Sequence, residues 1–261
     1  MERIESVNKY YESYDEDARL RDKKGSVEFL TTVNYIEKYL TEGAKILEIG
    51  AGTGRYSHYF AQKGYSVDAI ELTQHNIEIF KRNTKPKENV TITQGDAISL
   101  DGVPSEKYDI TLVLGPMYHL YTEKDQLKAL SEAIRVTKRG GILFVAYCNN
   151  DTTVYQYGFI KGNFKNGAYD KMLDSSFKLS SNPDEIFSLY RKEDIDKLMI
   201  NFNVTRLHYL GTDLLTKFIS DQINQMDEDL FKMYVKYVLT ICERPDMLGT
   251  SFHLLDVFKR N

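Results

Sequence analysis

One short stretch limits what this chain can become. An apolar run, AKILEI at 44–49, meets three glycines within five residues, Gly50, Gly52 and Gly54, and then an amphipathic segment from Arg55 to Lys63 that stops at Gly64. Aliphatic residues ending in glycine and followed by helical periodicity describe a buried strand turning tightly into a helix. Glycine at such a turn admits positive φ and lets a ligand reach the backbone with no Cβ in the way. The spacing is G-x-G-x-G; Arg55 stands where the dinucleotide fingerprint G-x-G-x-x-G has its third glycine. Glu48, two residues ahead of Gly50, disfavours a nearby anion and suits an ammonium group. The ligand expected here is a nucleoside carrying an amino-acid tail rather than a paired nucleotide.

The same rhythm continues downstream. Further β-branched runs, SVDAIEL at 66–72, NVTITQ at 89–94, YDITLVL at 108–114 and GILFVAY at 141–147, alternate with helical segments at 73–83 and 122–138. A helix over 26–40, with Ser26 as N-cap, leads into them, and Thr122-x-x-Asp125 opens the 122–138 helix like a capping box. Strand and helix in alternation predict an α/β, doubly wound sheet. After a helix at 191–201, a strand at 204–210 and one or two helices over 213–247, the last strand is FHLLDVF at 252–258. No repeat or linker interrupts the chain, so residues 1–261 read as one domain. The segments 149–190, rich in aromatics such as Tyr155, Tyr157, Phe164 and Tyr169, and 213–249 read as cap insertions.

Three acids stand just past strand ends, where open α/β sheets bind ligands. Besides Glu48, Glu71 lies 21 residues after Gly50, placed to accept hydrogen bonds from ribose hydroxyls, and Asp96 in Gly95-Asp96-Ala97 is placed to meet an exocyclic amine. The plainer alternatives are a solvated strand end for Glu71 and a turn-capping aspartate for Asp96.

The series EIGAGTG, Glu71, GDA and LVLGPMYHL, in register from about residue 44 to 147, resembles the class I S-adenosylmethionine-dependent methyltransferases. The resemblance implies a Rossmann-like, seven-stranded, mostly parallel sheet of order 3-2-1-4-5-7-6 with the last strand antiparallel and helices on both faces. It implies methyl transfer from S-adenosylmethionine, leaving S-adenosylhomocysteine. By it, Glu48, Gly50, Ala51, Gly52 and Gly54 lie beside the methionine part, Glu71 and Leu72 at the ribose, Asp96 and Ala97 at the adenine, and Leu114 and Gly115 near the sulfonium. His119 and Tyr118 are the candidate catalytic groups, although His119 reads more simply as a residue that packs its loop. Tyr10, Tyr11, Tyr14 and Arg19 fall in a segment, 1–25, that folds over the cofactor in similar enzymes; an ordinary amphipathic helix is the alternative.

Charge and composition exclude other classes. A net charge of −4 and a pI near 5.8 supply no positive field for nucleic acid. Apolar runs such as ILFVAYC at 142–148 are far shorter than the roughly 20 residues that span a bilayer, so no membrane span is expected. The charged start MERIESVNKYYESYDEDARL lacks a signal-peptide core, which makes the cytoplasm the expected compartment. Cys148 and Cys242 form no metal or redox spacing, and no metal is expected. The expected acceptor is a small molecule. The rivals are an NAD-type oxidoreductase on a similar sheet and a cofactor-binding module without catalysis; the sequence leaves the oligomeric state open.

Overall fold

The computed structural model describes residues 2–17, 19, 21–167, 172–183 and 187–261. Tyr169, one of the aromatics of the 149–190 segment, lies outside them.

Two helices, α1 (Arg3–Ser13) and α2 (Lys23–Glu37), precede the sheet. The core then runs β1 (Lys45–Ile49), α3 (Arg55–Gln62), β2 (Ser66–Glu71), α4 (Gln74–Asn83), β3 (Val90–Gln94), β4 (Tyr108–Val113), α5 (Glu123–Val136) and β5 (Thr137–Asn149). A short α6 (Asn150–Thr153) continues into a π-helix at Val154–Ile160. After it come β6 (Leu189–Tyr190), α7 (Lys192–Met199), β7 (Val204–Gly211), α8 (Ser220–Gln225), α9 (Glu228–Ile241) and β8 (His253–Arg260). No helix among the described residues is long and apolar enough to cross a membrane.

The sheet order is β3-β2-β1-β4-β5-β8-β7, with β8 antiparallel to both neighbours. This is the expected order. The addition is β6, two residues that pair in parallel with Cys148 and Asn149 at the end of β5. Alternation of side chains divides the core into two layers. Ile46, Ile110, Leu112 and Phe144 pack against Phe29, Val33 and Ile36 of α2 and Phe60 of α3. Leu47, Val113, Leu143 and Val145 pack against α5 and α7.

Two boundaries differ from the sequence reading for local reasons. The α2 helix starts at Lys23 because the Asp22 carboxylate accepts from the Gly25 amide at 2.8 Å; Ser26 sits inside the first turn and donates to the Asp22 carbonyl. The α5 helix stops at Val136, and Lys138 to Gly141 open β5 instead of closing a helix. Thr137 ends it: its hydroxyl donates to the Ala133 carbonyl at 2.7 Å, and its backbone pairs with Tyr108.

Candidate functional site

The carboxyl ends of β1, β2 and β4 open into a cavity of about 610 Å³ that α1 covers from one side. It is lined by Glu48, Gly50, Ala51, Gly52, Glu71, Leu72, Asp96, Ala97, Leu114 and Gly115, together with Tyr11, Tyr14, Arg19, Tyr118 and His119. One expected cofactor residue is not in the lining. Gly54, at φ 92°, caps α3 from behind, where a Cβ would come within 2.6 Å of both His58 and Phe80. Close packing of the turn requires glycine at this position. Gly52, at φ 55°, faces the cavity, and the nearest atom to its missing Cβ is a Glu16 methylene at 3.6 Å.

The three acids sit in different electrostatic settings. Glu48 is 2% exposed, and its carboxyl is hydrogen-bonded by the Ser57 hydroxyl. Burial pushes it up to about 8, only partly offset by Ser57. Such a group gains from an incoming cation. Glu71 is already held: one oxygen accepts from the Gly52 amide at 2.8 Å, the other from the amide and hydroxyl of Thr73 at 3.0 Å. The acid thus clamps the glycine turn to the start of α4. Asp96 forms an ion pair with Arg3 of α1, which the sequence reading did not foresee.

The N-terminal residues carry further unforeseen contacts. The Tyr11 hydroxyl lies 3.1 Å from His119 Nε2, and the Tyr10 ring stacks on Tyr14 and meets Phe187 edge-on. Burial, with Arg3 nearby, pushes His119 down to about 4. A histidine so weakly basic and already engaged is a poor general base, and its rings of contact with Tyr11 and Phe187 make it a packing residue. Arg19 is held by Glu16 and Glu28, each at 2.8 Å, rather than standing ready for a ligand carboxylate. Tyr118 is buried, and its hydroxyl has no hydrogen-bond partner among the described residues.

Beyond Tyr118 the cavity extends to residues that carry no motif: Thr153, Tyr157, Leu189, Lys217, Phe252 and His253. Here Glu28, Asp213 and His253 place one ligand-type atom each within 4.8 Å of one another, a spacing that a cation could bridge. Their atoms are already matched: Glu28 to Arg19, and the His253 Nδ1 to Asp213 at 2.9 Å. The cluster is a buried ion-pair and hydrogen-bond network.

Residues 47–145 match the family described as a methyltransferase domain. Over 106 residues the chain is 30% identical to an S-adenosyl-L-methionine-dependent Diels-Alderase of Talaromyces variabilis, covering 39% of this chain and 35% of that protein. Over 110 residues it is 31% identical to the demethylmenaquinone methyltransferase of Renibacterium salmoninarum, covering 42% and 44%. The chain thus spans less than half the length of these relatives. Its fold is that of the magnesium protoporphyrin IX methyltransferase of Synechocystis, whose structure holds S-adenosylhomocysteine, with a TM-score of 0.62 at 14% identity over 100% of both chains. Residues 47–145 thus match a methyltransferase domain, on a fold shared with S-adenosylmethionine-dependent methyltransferases.

Proposed function

We propose that this protein transfers a methyl group from S-adenosylmethionine to a small-molecule acceptor by in-line displacement. The observation that carries the reading is Glu48: a buried carboxyl beside the glycine turn, with no cation among the described residues paired to it, matches the α-ammonium of a methionine tail. The other residues fit the rest of the molecule. Glu71 keeps lone pairs for ribose hydroxyls, Asp96 and Ala97 flank the adenine, and Leu114 and Gly115 border the sulfur. When bound, the cofactor supplies an electrophilic methyl group; the chain aligns the acceptor and excludes water.

In this reading α1 is the lid. Arg3 on Asp96 and Tyr11 against His119 tie it across the cavity mouth, and the segments 149–190 and 213–249 form the cap over the acceptor. A cytoplasmic setting, with neither nucleic acid nor membrane as partner, accords with the two unpaired cysteines and the net negative charge.

Calorimetric titration of S-adenosylhomocysteine and of NAD into the purified protein tests the cofactor. Micromolar binding of the thioether without binding of NAD is expected; the reverse preference would replace the proposal with an oxidoreductase. The Diels-Alderase relative makes a second reading concrete, in which the cofactor is bound but no methyl group moves. Mass-spectrometric detection of a methylated product across a small-molecule panel separates the two.

A further inference from the structure

We propose that His253 is the general base of this site, held in place by Asp213, and that the acceptor is a hydroxylated aromatic carrying a carboxylate. The proposal rests on the methyltransferase reading and adds the acceptor chemistry to it.

Topology brings the pair to the cavity. In a sheet whose parallel strands end at one edge, an antiparallel strand begins at that edge. His253 is the first residue of β8 and pairs with Cys148 near the end of β5. Asp213 lies two residues beyond the end of β7, at the same edge. Neither position follows a glycine-rich motif.

The carboxylate is fixed from every side. Asp213 is fully buried, and one of its oxygens accepts from the Ser251 hydroxyl at 2.7 Å and from the amides of Phe252 and His253 at 2.8 and 3.1 Å. The other oxygen accepts from His253 Nδ1 at 2.9 Å. The next residue, Leu214, is held at φ 41°, a left-handed conformation unfavourable to a branched side chain; its amide donates to Ser251 Oγ at 3.0 Å. Burial acts to raise the Asp213 carboxyl, but hydrogen bonds from His253 Nδ1 and the Ser251 hydroxyl, with the Lys217 ammonium nearby, hold it below the usual range. Glu28, whose Oε2 lies 3.2 Å from the same Nδ1, is kept ionised by Arg19 against the effect of its burial.

Two carboxylates at Nδ1 assign the ring proton to that nitrogen, which leaves the Nε2 lone pair as the basic site. His253 lines the cavity, and Nε2 has no hydrogen-bond partner among the described residues. This is the arrangement in which a carboxylate orients an imidazole and stabilises the imidazolium formed when it takes a proton. The charged or titratable groups facing it are Glu28 and Arg19 from the N-terminal side, Asp213 and Lys217 from the segment after β7, Tyr118 after β4, and Cys148 of β5.

The surroundings select the acceptor. The Tyr118 ring lies 5.9 Å from the His253 ring, and its hydroxyl, without a partner among the described residues, can donate to a ligand oxygen. Phe252, Tyr157 and Leu189 supply flat apolar walls suited to an aromatic ring. The Lys217 ammonium also lines the cavity, and no carboxylate among the described residues lies within salt-bridge distance of it, so it suits an acid on the acceptor. In the reaction the hydroxyl proton passes to His253 Nε2 while the acceptor oxygen forms its bond to the methyl carbon, leaving the carbon–sulfur electron pair on a neutral sulfur. The imidazolium then gives its proton to solvent.

The test uses the full chain saturated with S-adenosylhomocysteine and histidine-selective NMR, with the three hydroxybenzoate isomers as probes and benzoate as the control. At least one hydroxybenzoate is expected to shift the His253 Nε2 resonance, benzoate is not, and Lys217→Ala should weaken both roughly ten-fold. With S-adenosylmethionine and the shifting isomer, His253→Gln should lower kcat at least about 100-fold, leave KM within about three-fold and abolish the pH dependence of the rate. Asp213→Asn, as the positioning variant, should lower kcat less. Binding of S-adenosylhomocysteine should stay at the wild-type level in His253→Gln. Equal shifts from benzoate and hydroxybenzoates, no shift from any isomer, or a wild-type rate and pH profile in His253→Gln would each overturn the proposal. Should the wild type itself not bind S-adenosylhomocysteine, the cofactor reading falls and this one with it; normal binding alongside those negative results sinks the acid–base assignment alone.

Discussion

The two halves of the cavity are built by different means. The half under β1, β2 and β4 is built around the glycine turn from residues 48 to 97, with Leu114 and Gly115 after β4, and carries three carboxyl groups, Glu48 within β1, Glu71 at the end of β2 and Asp96 past the end of β3. The half beyond Tyr118 is assembled from α6, the π-helix and the segments flanking β7 and β8, positions 153, 157, 217 and 253, and works through side chains alone. A backbone site tolerates almost no change in shape, whereas a side-chain site can be re-cut one residue at a time. Substitutions in the first half should therefore change cofactor affinity or the fold, and substitutions in the second half should leave cofactor affinity alone.

The largest effect is expected within the glycine turn, and it should split in two. Gly54→Val places a branched side chain at φ 92°, against His58 and Phe80, and should lower stability by about 3 kcal/mol or more, measured by urea unfolding. Gly52→Val also strains the backbone, but its side chain points into the open cavity. It should abolish S-adenosylhomocysteine binding in a protein that still unfolds cooperatively. Equal loss of stability in both would mean that the turn is merely structural.

Next in size is Glu71→Ala. Removing a charged acceptor of ribose hydrogen bonds costs roughly 1.5–3 kcal/mol, or about ten- to a hundred-fold in affinity. The same change also releases the amides of Gly52 and Thr73 from their acceptor. Calorimetry and unfolding measured together should therefore both move, and an affinity within two-fold of wild type would remove Glu71 from the site.

This asymmetry between the halves also explains what was legible in the sequence. The strands, the glycine turn and the positions of Glu48, Glu71 and Asp96 could be read because each belongs to an apolar run or lies at a fixed offset from one, and local periodicity reports such offsets; the strand order comes only from the family resemblance. Nothing local marks His253. It reads as a core or edge residue of FHLLDVF, and only pairing β8 antiparallel to β5 places it at the ligand edge. Arg3 on Asp96 and Tyr11 on His119 span 93 and 108 residues of chain, separations that no pattern encodes. Gly54 differs in the opposite sense: a motif position read as ligand contact also meets His58 and Phe80 closely, a packing demand that no local pattern encodes.

A smaller effect tests the second half. The buried Tyr118 hydroxyl has no partner among the described residues, which costs about 1 kcal/mol or more in the free protein. Tyr118→Phe should raise the unfolding free energy by about that amount and leave S-adenosylhomocysteine affinity within two-fold, while methyl transfer falls. A loss of cofactor affinity in this variant would break the division between the halves.

The smallest signal is a proton, and it reports on Glu48 directly. Burial raises this carboxyl to about 8 in the free protein, so at pH 7 it is roughly nine-tenths protonated. Its folded pKa lies above its unfolded value of 4.5; the stability it contributes is therefore complete below pH 4.5 and lost as the pH rises through about 8. A ligand ammonium beside the carboxyl favours the ionised form and cancels that loss. Binding of S-adenosylhomocysteine at pH 7 should therefore release close to one proton, seen as a dependence of the calorimetric heat on the ionisation enthalpy of the buffer. The stabilisation conferred by the ligand should grow between pH 6 and 8 for the same reason, before the ligand amine itself begins to titrate. Glu48→Gln should bind more weakly and release no proton. Proton release that persists in Glu48→Gln would transfer the signal to another acid, with Glu16, also raised by burial and lining the same cavity, as the next to test.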